Sequence, residues 1–334
     1  MTTINSYLDA DCFLVADIGG TNARLAIASG SDFSLTQEHT FQCAEFDSLA
    51  DIVRAWQDAA NCPMPQQACF AIAGPISGSS HSGSVKMTNL NWEFSVHQLK
   101  QELDLSELHA INDFAAMANA AVVLGDDDLF SLKSGSACID APLAIIGPGT
   151  GFGAAALVPN QHQWITMPGE GGHAAFAPTT ELERELLTLL SQKYQHVSVE
   201  TLLCGRGLVD IYQALCQLQN HALPQNYSPS DITEQGLHDR DNLCVQTLDV
   251  FCGILGSTAA DIALTYGARG GVFIGGGIVP RLRGFIESSN FCAHFINKGV
   301  MSDYAKSIPV QVMIAEQPAL VGAAAWLANR DGPE

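Results

Sequence analysis

The stretch DIGGTNARLA, Asp17 to Ala26, decides how this chain is read. It follows an apolar run, Cys12 to Ala16, that predicts a buried strand, and Leu25 to Ala28 predicts a second. Gly19, Gly20, Thr21 and Asn22 between them predict a hairpin turn with a carboxylate at its entrance. Adjacent glycines allow positive φ and let backbone N–H groups come close to an anion. Thr21 and Asn22 add short polar side chains suited to phosphate oxygens, and Asp17 at a strand end suits a hydrated Mg2+. Taken alone, the stretch serves equally well as a plain Gly-Gly hairpin with a surface aspartate.

A second stretch repeats this layout. Pro142 to Ile146 predicts a strand that runs into GPGTGFG, Gly147 to Gly153, and out through AAALV. Two strand–turn–strand units far apart in one chain suggest related halves, each giving one phosphate loop. The glycine spacing is not G-x-G-x-x-G, and no G-x-x-x-x-G-K-[ST] occurs, so neither the dinucleotide fingerprint nor the P-loop is present.

Composition narrows the class. The chain has 334 residues, enough for one large or two medium domains. A hydrophobic content of 47% and 30 glycines indicate a compact α/β enzyme rather than a disordered chain. The absence of an unbroken apolar run of about 18 residues predicts no membrane span. The start of the chain lacks the basic and apolar regions of a secretory signal, and residues 1–11 read as a loose leader. Ten cysteines lie scattered without a CxxC pair or zinc-like cluster, which predicts reduced, mostly buried thiols and a cytoplasmic location. A net charge of −20 argues against nucleic acid and anionic membrane as partners. A nucleotide would then need local help from backbone N–H groups, helix N-termini and a divalent cation.

Other groups stand out in chain order. Strands are expected at 12–17, 22–29 and 35–43, then a helix capped by Asp47 or Ser48 with Leu49, Ile52, Val53 and Trp56 on one face. Ala68 to Ala73 reads as a central strand ending in a Gly74-Pro75 turn. Asn89, Asn91 and Trp92 combine amide and aromatic groups suited to a sugar, although a structural turn around one buried Trp accounts for them better. His109 to Ile111 is a short strand followed by Asn112 and Asp113. Asp113 therefore sits at a strand end and a helix start, which by itself describes an ordinary cap. Gly125 to Gly135 reads as a polar surface connection. Glu170 and His173 lie three apart in a glycine-rich loop, and Thr180 with Glu183 forms a capping box. Glu200 alone reads as a helix-start acid, and Asn242 to Tyr266 as one long helix. Gly271 to Ile274 is a strand ending in Gly275-Gly276-Gly277. That run either lets a flat ring such as adenine lie on the backbone or makes a tight strand–helix turn. Pro318 to Ala328 is a small-residue helix expected to pack back on the first domain.

Together these motifs resemble the bacterial glucokinases of the hexokinase–actin–chaperone ATPase superfamily. DIGGTNARLA, MTNLNWEFS, INDFAAMA, GPGTGFG, PGEGGHAAFAP and GGVFIGGGIVPR stand in that family's order and spacing, from about Phe13 to Leu327. The cysteine-rich zinc motif of the repressor/open-reading-frame/kinase sugar kinases and a helix-turn-helix extension are missing, so the resemblance is to the zinc-free group. It implies an α/β fold of two actin/hexokinase-like ATPase domains, with mixed sheets flanked by helices and an interdomain cleft. Residues 1–123 plus 314–334 would form the small domain and 124–313 the large one. The implied reaction is transfer of the γ-phosphoryl group of ATP to the 6-hydroxyl of glucose, with Mg2+, in a cytoplasmic homodimer whose closure excludes water.

Carried over residue by residue, the resemblance makes Asp113 the catalytic base. Asn112, Glu170, His173 and Glu200 become ligands of the sugar hydroxyls alongside Asp113. Asp17, Ile18, Gly19, Gly20, Thr21 and Asn22 match the first phosphate loop, with Asp17 also helping to hold Mg2+. Gly149, Thr150 and Gly151 match the second phosphate loop, and Gly275, Gly276 and Gly277 the adenosine loop. Arg24 matches as well, without an assignable chemistry beyond a strand-face ion pair. The alternatives are a kinase for another hexose and a non-catalytic sugar sensor on the same fold.

Overall fold

A computed structural model describes residues 12–74, 76–87, 90, 92–161, 163–222 and 227–330. The leader 1–11, and Pro75, Asn89 and Asn91 among the motif residues, lie outside the described residues. The chain forms two compact units. The first holds the described residues up to Leu124, those in 160–166 and those from Ala315 onward. The second holds Gly125–Pro159 and Met167–Ile314.

In the first unit the apolar runs become strands β1 (Cys12–Ile18), β2 (Asn22–Ser29), β3 (Leu35–Gln42) and β4 (Gln67–Ile72). A small side sheet follows, of β5 (Ile76–Ser77), β6 (Ser84–Lys86) and β7 (Glu93–Ser95), and then β8 (Glu107–Asn112). The main sheet has the order β3-β2-β1-β4-β8, with β1, β2 and β3 antiparallel and β1, β4 and β8 parallel. Both of its faces are covered, which explains why β1 and β4 are apolar throughout rather than alternating. On one face Leu14, Leu25, Phe70 and Leu108 pack against α1 (Leu49–Ala60) and α2 (Val96–Glu102). Ser48 caps α1 by accepting the Asp51 N–H at 3.2 Å, and the buried Trp56 donates its indole N–H to the Gln37 carbonyl at 3.0 Å.

On the other face Val15, Cys69 and Ile111 pack against α3 (Asp113–Ala120) and the C-terminal helix Pro318–Arg330. The two helices touch through backbone, since a Cβ on Gly322 would stand 1.8 Å from the Ala116 carbonyl oxygen. Trp92 is a core residue, 8% exposed, whose carbonyl accepts the Met87 N–H at 3.0 Å. It is the buried Trp of a structural turn and not a sugar-stacking ring.

The second unit contains β9 (Leu129–Lys133), β10 (Leu143–Pro148), β11 (Phe152–Asn160) up to Pro159, and β12 (Gln163–Gly169) from Met167 on. Helices α4 (Glu181–Lys193), α5 (Val199–Leu202), α6 (Gly205–Leu218), α7 (Pro229–Leu237) and α8 (Asn242–Tyr266) follow. Next come β13 (Gly271–Ile274), α9 (Arg283–Ile286), α10 (Phe291–Ile296), α11 (Ser302–Ser307) and β14 (Val310–Met313). The sheet order is β12-β11-β10-β13-β14-β9, with β10 antiparallel to β11 and parallel to β13. The first five strands thus repeat the permutation of the first sheet, as the repeated turn motif suggested.

One sequence expectation changes here. Part of Gly125–Gly135 is not a surface connection but the edge strand β9, antiparallel to β14. Its alternation is short and ends on Lys133, whose ammonium is buried and donates to the carbonyls of Ser134, Lys306 and Ile308. Tertiary pairing, not local pattern, makes the strand. Helix α8 is long and apolar enough by length and composition to cross a membrane, but 78% of that window is buried inside the protein. Phe251, Cys252 and Leu255 sit in the core of this unit, so α8 is a core helix.

Candidate active site

In the first unit the candidate groups gather at the carboxyl ends of parallel strands. Asp17 is the next-to-last residue of β1 and is paired in register with Arg24 of β2. Arg24 Nη1 donates to Asp17 Oδ2 at 3.2 Å, which gives Arg24 its role as a strand-face ion-pair partner. Burial pushes the Asp17 carboxyl above the usual range, and Arg24 offsets part of this. The side chain keeps 23% exposure, so it still meets solvent.

The turn closes by the Gly19 N–H donating to the Asn22 carbonyl at 2.9 Å. Gly19 does not take left-handed backbone, so positive φ is not what the turn needs from it. Ile18 is fully buried and its carbonyl accepts the Ala73 N–H at 2.9 Å, fixing the turn's base to the end of β4. Thr21 is exposed, while the Asn22 side-chain oxygen accepts from Gln42 Nε2 at 2.7 Å.

Strand β8 ends at Asn112, which caps α3. Its Oδ1 accepts the N–H groups of Phe114 at 2.9 Å and Ala115 at 3.3 Å. Asp113 is the first helical residue, half-buried, with Oδ1 2.9 Å from the Phe114 nitrogen. Here the helix dipole favours the carboxylate. The register aligns Ile18, Ile72 and Asn112 in one row across the sheet. The glycine turn and Asp113 therefore share one carboxyl edge, two strand spacings or about 10 Å apart.

The second unit builds its own cluster. The Gly149 N–H donates to the Gly151 carbonyl at 2.8 Å, and the first amide of α6, Gly205 N–H, donates to the Gly149 carbonyl at 3.0 Å. Thr150 at the tip is exposed. The Phe152 N–H donates to Glu200 Oε2 at 2.8 Å. A Cβ on Gly151 would stand 2.5 Å from that same oxygen, so only glycine admits the contact without moving Glu200. Gly275 donates its N–H to the Ile146 carbonyl at 2.8 Å. Gly276, at φ +81°, lies against Pro148, and Gly277 is exposed. The second phosphate turn, the proposed adenosine loop and the α6 N-terminus thus meet at one end of β10 and β13.

Glu170 and His173 are exposed on a single helical turn closed by the His173 N–H to the Glu170 carbonyl at 3.0 Å. Just beyond it, the Val199 N–H donates to the Ala174 carbonyl at 2.9 Å, and Ala175 bridges to Ser198. These bonds tie the loop to the start of α5, which carries Glu200, so all three candidate sugar ligands of this unit share one neighbourhood. Sequence reasoning missed the Phe152 and Gly205 amides, because backbone groups leave no mark in a side-chain pattern.

The glucokinase family model matches residues 14–330 of this chain. The chain belongs to the glucokinase family. It is 44% identical over 318 residues to a glucokinase of Saccharophagus degradans, covering 94% of this chain and 98% of that protein. The structure is similar to that of the glucokinase from an Antarctic psychrotroph, with a TM-score of 0.86 and 40% identity over 96% of this chain and 99% of that one. The fold is shared more widely within the glucokinases. A Balamuthia mandrillaris glucokinase solved in complex with glucose aligns with a TM-score of 0.76 at 21% identity, over 95% of this chain and 93% of that one.

Proposed function

We propose that this member of the glucokinase family transfers the γ-phosphoryl group of ATP to the 6-hydroxyl of glucose, with Asp113 as general base. The observation that carries the reading is the Ile18–Ile72–Asn112 row, which puts the first glycine turn and Asp113 at one carboxyl edge. The Asp113 carboxylate accepts the proton of the 6-hydroxyl as that oxygen attacks the γ-phosphorus in line. Phosphoryl transfer is mostly positioning and charge neutralisation, and a positioned base contributes about 10²–10⁴-fold.

The neighbours divide the remaining work. The Asn112 side-chain oxygen is committed to the α3 cap, so its amide nitrogen is the group that would donate to a sugar hydroxyl. Glu200 has one oxygen on Phe152, and its other oxygen would accept a hydroxyl. Glu170 and His173 supply further partners. The backbone of Gly19–Asn22 and of Gly149–Gly151 would cradle the phosphates, with the α6 N-terminus adding positive potential near the second. Gly275–Gly277 would receive adenine.

Among the described residues no group of three or more His, Cys, Asp or Glu could hold a metal ion. That fits Mg2+, which keeps most of its waters and takes one carboxylate plus substrate phosphates. Asp17 is the residue that would hold it, and the ion would neutralise phosphate charge in the transfer. We extend the reading to a cytoplasmic homodimer without nucleic-acid or membrane partners. The net charge of −20 argues against nucleic acid and anionic membrane, the buried or half-buried thiols suit a reducing compartment, and the homodimer rests on the family resemblance.

A coupled assay of purified protein with ATP, Mg2+ and glucose tests the proposal, repeated with mannose, fructose and N-acetylglucosamine. Glucose should give the highest kcat/KM, because each hydroxyl the site is built to bond adds discrimination. Wild-type turnover by an Asp113→Ala protein would reject the mechanism.

A further inference from the structure

The loop beyond Glu170 and one side of α8 enclose a separate cavity in the second unit, of about 240 Å3, lined by none of the residues assigned above. At about 30 Å3 per water, this is room for roughly eight waters. It falls below the ~300 Å3 at which drug-sized pockets begin, and suits a molecule of about a dozen non-hydrogen atoms.

Its chemistry is mixed, with two acidic residues among hydroxyls and apolar surface. Ser257, Thr258, Thr265 and Tyr266 bring hydroxyls from α8, and Phe176, Ile254 and Ile262 bring apolar surface. Two carboxylates reach it, and both already have hydrogen-bond partners. Asp261 Oδ1 accepts from Lys298 Nζ at 2.7 Å, and the same ammonium stands 3.1 Å from Ser257 Oγ. Glu183 is buried and accepts from the Thr179 and Thr180 backbone and the Thr179 hydroxyl. An anion would meet two carboxylates, and a cation would find both already partnered, Asp261 by Lys298 and Glu183 by its hydrogen-bond donors with His294 Nδ1 3.5 Å from its other oxygen. A neutral ligand with many hydroxyls and an apolar ring face fits both the hydroxyl rim and the apolar floor.

The cavity wall also belongs to the sugar loop. Gly171, Ala174 and Phe176 line it and flank His173, and Val199 lines it next to Glu200. We propose that the cavity is an accessory site for a neutral monosaccharide, glucose among them, whose occupancy alters the loop carrying Glu170 and His173. The coupling to turnover rests on the kinase reading above; the binding does not.

Equilibrium dialysis of the intact chain with radiolabelled glucose, without nucleotide, tests it. Two glucose molecules should bind per wild-type chain. Thr265→Trp, at an exposed position of the rim, should plug the cavity and leave one. Ala175→Phe, in the loop that lines the cavity, is the independent second plug, and unchanged thermal unfolding would show that each variant folds. Steady-state rates should depart from a single hyperbola in glucose for wild type and follow one in both plugged variants. One equivalent in wild type, unaltered by either plug, overturns the accessory site and leaves the kinase reading intact. Two equivalents falling to one without any phosphorylation keeps the site and rejects the kinase reading instead.

Discussion

Glu200 Oε2 accepts the Phe152 N–H at 2.8 Å and stands 2.5 Å from where a Cβ on residue 151 would sit. One carboxylate thus shapes the proposed second phosphate turn while belonging to the proposed set of sugar ligands. Gly151→Ala should push the flexible end of Glu200 aside rather than unfold the chain. We expect KM to rise for both ATP and glucose with a change in melting temperature of only a few degrees. Glu200→Ala should cost stability as well, about 1–3 kcal/mol for the amide left without its partner. Steady-state kinetics beside thermal melts separate the two effects.

Asp17 opposes stability in exchange for charge at the turn. Its folded pKa lies above the unfolded value, so the folded state holds the proton more tightly. The contribution of Asp17 to stability is therefore fully present below the ordinary carboxylate value of about 3.9 and is lost as pH rises through the raised pKa. Asp17→Asn should unfold at higher denaturant than wild type near neutral pH, with the advantage shrinking on acidification. Its turnover should fall and its Mg2+ requirement should rise. Denaturation series at several pH values, with Mg2+ titrated in the assay, check both halves.

Asn112 has two separable tasks. Asn112→Ala should cost about 1 kcal/mol through loss of the α3 cap and also raise KM for glucose. Asn112→Ser restores an N-cap acceptor but not the amide donor. It should recover most of the stability and little of the KM.

Gly322 sets the C-terminal helix directly on the α3 backbone. Gly322→Ala would drive a methyl into the Ala116 carbonyl, at a distance that backbone must yield to accommodate. We expect a loss of about 3 kcal/mol, the upper part of the usual overpacking range. Activity should fall with it, since α3 begins at Asp113. Urea unfolding and kcat of the same preparation provide the check.

Strands and long helices were legible because their signals are local. Cys12–Ile18, Asn242–Tyr266 and Gly271–Ile274 follow directly from apolar run, periodicity and glycine punctuation. The β9 edge strand was not, because Lys133 breaks the pattern and only pairing with β14 makes it a strand. The short helices α10 and α11 lack caps with side-chain bonds and were equally silent. In the site, Asp17, Asn112 and Glu200 were visible as residues. Arg24 was visible too, as a strand-face ion-pair residue, but the α3 amides and the Phe152 amide became visible only as geometry, since a hydrogen bond from backbone carries no letter of its own.

The helix Pro318–Arg330 closes the apolar underside of a sheet whose first strand begins at Cys12. During synthesis the unit started first is therefore finished last. Val15, Cys69 and Ile111 have only α3 on that side until the ribosome has made Leu320 and Leu327, by which time everything in 167–314 has already been made. A chain stalled before Pro318 would expose a greasy sheet face to chaperones, and release of the final helix is the step that should end that engagement.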